Sequence, residues 1–86
     1  MNGSHPISVV TVELNPNGDI FLNGKLVAEI FLLGDELQAE AQKVPMPSVH
    51  ITGARRGGES ARSLGKVIYC SLRAGFTEEQ LILLDR

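Results

Sequence analysis

The sequence predicts a small α+β domain. It reads as a two-layer sandwich of order β-β-α-β-α-β, with two helices on one face of a mixed sheet. Three observations carry that expectation. Aliphatic and β-branched runs open the chain at Ile7–Leu14 and return at Ser48–Thr52 and Gln80–Leu84. An Asn23-Gly24 pair lies between two short apolar runs, and both central positions of a type I′ hairpin turn need positive φ. Ahead of each later strand stands a stretch whose apolar residues recur at spacings of three and four.

The elements follow in order. Ile7–Leu14 is a β-branched strand, and Asn15-Pro16-Asn17-Gly18 supplies turn chemistry. Asp19–Leu22 is a second short strand, and Lys25–Val27 continues the ribbon beyond the Asn23-Gly24 turn. Ala28–Val44 admits two readings. In one, Ile30, Leu33, Leu37 and Ala41 form a helix face, with Gly34 costing about 1 kcal/mol. In the other, the ribbon extends to Leu33 and a helix starts at Asp35, capped reciprocally with Gln38. Glu36–Lys43 is helical in both, and Val44-Pro45-Met46-Pro47 ends it. Ser48–Thr52 is the next strand. A second helix is expected over Leu64–Ala74, with Ser63 as N-cap and Leu64, Val67, Ile68 and Leu72 as its apolar face. Arg73 suits its last turn, Gly75 the left-handed position beyond it, and Phe76 the hydrophobic contact that follows. Gln80–Leu84 is the final strand.

The 86 residues make one domain, taken as 7–86, with 1–6 a disordered or non-native start. A chain this short hides only ~60–65% of its unfolded surface. Oligomerisation is an ordinary remedy for that shortfall. Eight basic residues against ten acidic ones leave a net charge of −2, which gives no general attraction to nucleic acid or anionic membrane. No apolar run reaches the ~18 residues that a membrane span requires. A single cysteine, Cys70, excludes an internal disulfide and a cysteine-based zinc site.

The stretch "GARRGGESARSLGK", Gly53 to Lys66, is the one segment that invites a chemical reading. A Walker-type phosphate loop fails at two positions: Ser60 stands where its first glycine belongs, and Val67 where a hydroxyl should meet magnesium. The dinucleotide fingerprint is absent. Arg55, Arg56 and Arg62 offer a basic loop, but no aromatic residues interleave them, so the nucleic-acid footprint is thin. His50 reads as a strand histidine and Cys70 as a packed thiol with no activating neighbour in sequence. Glu29, Asp35, Glu36 and Glu40 read as the wet side of a helical region. The expectation is a protein without catalytic residues, cofactor or metal.

Two segments resemble the periplasmic domain of the ExbD/TolR family of biopolymer-transport proteins. "ISVVTVELNPNGDIFLNGKLV" is similar to the family's opening strand and its "x-G-x-I-x-L-N-G-x-x-V" ribbon. "LGKVIYCSLRAGF" is similar to its final helix, with Gly65, Val67, Arg73, Ala74, Gly75 and Phe76 at matching places. The departures lie between them. Thr52, Gly53 and Ala54 stand where the family carries Arg-Ala-Asp, Leu64 replaces a tyrosine, and several extra residues intervene. The helix's middle aspartate is also missing from "YCSLR".

The resemblance implies a non-catalytic, dimerising domain in the periplasm, the soluble part of a protein anchored in the bacterial inner membrane. It implies a membrane helix, outside this sequence, that sits in an ExbB/TolQ-like partner. It further implies coupling of the proton-motive force to TonB- or TolA-like proteins, or to peptidoglycan. The expected contact surfaces are the final strand, with Leu81 and Leu83, the first strand, and the loop arginines Arg55, Arg56 and Arg62. A small nucleic-acid-binding α/β domain using those arginines is the alternative.

Overall fold

The computed structural model describes residues 9–84. The expectation for residues 1–6 lies outside them, as do the first two residues of the opening strand. The elements are β1 (Val9–Leu14), β2 (Ile20–Leu22), β3 (Lys25–Val27), α1 (Ile30–Ala41), β4 (Ser48–Thr52), α2 (Ser60–Ala74), a 3₁₀ turn (Glu78–Gln80) and β5 (Leu81–Leu84). They form an α+β domain with a five-stranded mixed sheet in the order β3-β2-β1-β4-β5.

The first half of the sheet is local. Asn23 and Gly24 adopt φ 51° and 85°, as a two-residue I′ turn demands. The turn sets β3 against β2 in register Ile20↔Val27 to Leu22↔Lys25, so the ribbon's continuation is a strand of its own. The observed order therefore has one strand more than expected. β2 pairs antiparallel with β1, with Glu13 opposite Phe21. The second half is non-local: β4 lies parallel to β1 and β5 parallel to β4, each reached through a helical crossover.

Alternation along the strands decides which face is covered. Val10, Val12 and Leu14 of β1 are at most 1% exposed, while Val9, Thr11 and Glu13 between them face solvent. Val49 and Ile51 of β4 stand beside Val10 and Val12 on the covered side. Leu33, Leu37, Val67 and Phe76 from the helical layer close the core over them. Each such side chain contributes about 1.5–3 kcal/mol by leaving water.

The helix reading of Ala28–Val44 prevails over the strand reading. α1 starts at Ile30, after an extended Glu29 whose side chain makes no capping bond. Asp35 is therefore mid-helix and cannot be the N-cap. Leu33 and Leu37, one turn apart, are both fully buried, and that burial outweighs the glycine between them.

α2 differs from expectation at its start. It begins at Ser60, a turn early, and Ser63 is not its cap. Instead the Ser63 hydroxyl donates to the Gly18 carbonyl oxygen at 2.7 Å. Its buried stripe runs through Ser60, Ser63, Val67, Cys70 and Ser71; of the expected apolar face only Val67 is fully covered. Its end matches the sequence reading. Gly75 takes φ 115°, the Phe76 N–H donates to Ser71 O at 3.0 Å, and the Gly75 N–H to Leu72 O at 3.2 Å.

Candidate functional site

The arginine loop is where sequence pointed first, and its side chains are spent largely on the fold. Gly53, at φ 84°, passes so close to β1 that a Cβ there would collide with the Leu14 carbonyl oxygen. Arg56 Nη1 donates to Glu13 Oε2 at 3.0 Å, Leu14 O at 3.2 Å and Asn15 Oδ1 at 3.0 Å. The Glu59 N–H donates to Pro16 O at 2.8 Å. These bonds fasten the segment to the β1–β2 turn. Arg62 lies in the first turn of α2, paired with Glu59 at 3.3 Å. Arg55 is exposed on the loop. With Arg56 and Arg62 each beside a carboxylate, the loop presents little net positive field.

His50 and Cys70 stand on opposite sides of the sheet. Val49 and Ile51 face the helices, so His50 between them faces the open side, level with Thr11 and Ile82. Cys70 is buried in the helical layer, and desolvation pushes its thiol above the ordinary value of 9.0. The two cannot act as a pair. Among the described residues, no three His, Cys, Asp or Glu side chains gather in a way that could hold a metal ion.

The sheet edges are the clearer feature. β1, expected as a pairing surface, is the middle strand and has neighbours on both sides. Its parallel partner β4 is non-local, and nothing in the local pattern of Ile7–Leu14 signals it. β3 is one edge, three residues long and opened by Lys25, the kind of short charged edge that discourages pairing. β5 is the other, and Leu81–Leu84 contains no charge and no proline.

Register divides the β5 side chains. Leu81 and Leu83 align with Val49 and Ile51 on the helix side, and Ile82 and Leu84 with His50 and Thr52 on the open side. Leu81 is half-buried, yet Leu83 remains 50% exposed and Ile82 and Leu84 37% each. Next to them, Thr11, Glu13, Phe21, His50, Thr52 and Leu84 line a hollow of about 260 Å³ on the open face. An extended segment added beside β5 would find free backbone groups on one flank and apolar side chains above and below. Sequence reasoning found Leu81 and Leu83 but passed over Ile82 and Leu84. A run in which every residue is apolar hides which side each one faces.

No family model, curated protein or solved structure matches this chain.

Proposed function

We propose that the chain is a non-catalytic interaction domain of the ExbD/TolR kind, working in the periplasm as the soluble part of an inner-membrane proton-motive-force transducer. Its membrane helix would engage an ExbB/TolQ-like partner. The domain itself would dimerise and receive an extended segment of a TonB- or TolA-like protein along β5, or contact peptidoglycan. The observation that carries this reading is the β5 edge: four apolar residues, paired on one side only among the described residues, with three of them exposed. Strand addition suits it because backbone hydrogen bonds supply affinity while alternate side chains choose the partner. The sequence resemblance over Ile7–Val27 and Leu64–Phe76 supplies the class.

The test is amide hydrogen exchange on the protein with and without peptides from the periplasmic regions of TonB- and TolA-like proteins. Binding is expected to protect amides of Leu81–Leu84 and to be lost in Leu83→Lys, which places a charge on the edge. Binding that leaves β5 unprotected, or that survives Leu83→Lys unchanged, would count decisively against strand addition. No comparable observation favours nucleic acid, since Arg56 and Arg62 are each paired with an acid. Salt-sensitive retention of generic oligonucleotides would revive that alternative.

A further inference from the structure

A groove of about 500 Å³ lies between the first half of α1 and the end of α2. Ile30, Phe31 and Asp35 form one wall, and Tyr69 and Arg73 the other. Large apolar side chains stand open along it. Phe31 and Tyr69 are each 58% exposed, and Ile30 51%. A whole aromatic side chain covers ~150–250 Å², so the two aromatics alone leave on the order of 200 Å² of ring surface in water.

Two further features belong to the same groove. Gly34 lines it from mid-helix, where glycine costs about 1 kcal/mol relative to alanine. An added Cβ there would meet nothing within 4 Å, so the chain's own packing gives no reason for the missing side chain. The gap exposes the α1 backbone to close approach from outside. The charges are the second feature. Among the described residues Asp35 has no ion-pair partner, and Arg73 meets only the Tyr69 ring, at 5.7 Å from its centroid.

We propose that this groove is the surface through which two copies of the chain associate about a two-fold axis. A two-fold interface is self-complementary: what one wall offers, the opposite wall of the second copy must accept. A groove with an unpaired acid on one wall and a cation on the other meets that condition. Asp35 of each copy faces Arg73 of the other, two pairs in all, around a centre of Phe31, Ile30 and Tyr69. A partner carrying one sign of charge would satisfy only one wall. Gly34 lets the second copy's Phe31 sit against the helix backbone. This deepens the reading above, which calls for a dimer, and it leaves both β5 edges open to partner strands.

Sedimentation over a concentration series on the whole chain tests it. The protein forms a dimer. Asp35→Arg alone and Arg73→Asp alone each weaken association by about tenfold or more, because like charges then face across the axis. An equimolar mixture of those two variants dimerises again, since every contact in the mixed pair is acid against base. Phe31→Glu and Gly34→Leu stay monomeric, with far-UV circular dichroism unchanged to show that they remain folded. A protein that is monomeric throughout the series overturns the proposal. So does a dimer indifferent to these substitutions and broken by Leu83→Lys, which would place the contact at the sheet edge. Peptide protection of β5 in the monomeric Phe31→Glu variant separates the two ideas. Its presence sustains strand addition whether or not the groove pairs, and its absence sinks strand addition alone.

Discussion

The Ser63 hydroxyl hydrogen-bonds the Gly18 carbonyl oxygen at 2.7 Å, tying the first turn of α2 to the β1–β2 turn 45 residues earlier in the chain. Ser63 is 2% exposed, so removing its hydroxyl takes away a hydrogen bond that is shielded from water on the donor's side. Ser63→Ala is expected to cost about 1–2 kcal/mol in urea unfolding. Ser71 is the control. Its hydroxyl is equally buried but has no hydrogen-bond partner among the described residues. Ser71→Ala should be neutral or stabilise by up to ~1 kcal/mol, because it removes an unsatisfied group and adds a better helix former.

Two glycines should respond in opposite directions to the same substitution. Gly53→Ala forces a Cβ into the Leu14 carbonyl at a positive φ, and should destabilise by about 2 kcal/mol or more. Gly34→Ala meets open space in a regular helix, and should raise the unfolding free energy of the dilute protein by ~0.5–1 kcal/mol. Thermal or urea melts of the two variants side by side decide both.

Arg56 is expected to matter for its hydrogen bonds more than for its charge. The ion pair with Glu13 is partly exposed on both sides, and such pairs contribute about 0–1 kcal/mol. The bonds to Leu14 O and Asn15 Oδ1 hold the loop against the turn. Arg56→Ala should therefore cost about 1–2 kcal/mol. Glu13→Gln should cost less than ~0.5 kcal/mol, and that smaller loss should shrink in high salt.

How far the chain explains itself can be read from where its local signals were reused. Asn23-Gly24, Gly75-Phe76 and the Leu33–Leu37 pair announce a turn, a helix end and a buried helix face, because each acts through its nearest neighbours. Ser63 looks like a cap, since serine before an apolar periodic run usually is one, but a carbonyl distant in sequence takes its hydroxyl. The α2 start accordingly lies a turn earlier, at Ser60. Sheet order escaped for a related reason: β1 pairs with β4 across nearly forty residues, and alternation within a strand says nothing of its neighbours. Of the candidate contact residues, Leu81 and Leu83 do lie on an open edge, whereas Arg56 and Arg62 are engaged by acids. The groove residues Phe31 and Tyr69 read only as helix positions until the two helices are placed side by side.

Cys70 should leave a mark on alkaline stability. Burial raises the folded thiol above its ordinary value of 9.0, while in the unfolded chain it titrates normally. Below that value both states keep the proton and stability is unaffected. As pH rises past about 9, the unfolded chain ionises first, so stability falls until the folded thiol also titrates. Cys70→Ala should flatten this slope above the ordinary thiol value and leave the curve at neutral pH parallel to the parent's.

Both helices lie on the same side of the sheet, so one face of the strands closes the core and the other does not. Val9, Thr11, Phe21, Leu26, His50, Thr52, Ile82 and Leu84 stand on the second. Changes at those positions leave the buried register of Val10, Val12, Val49 and Ile51 intact. A lineage can therefore rewrite what this surface recognises, one residue at a time, without passing through unfolded intermediates, and the scaffold and its specificity are free to evolve at different speeds.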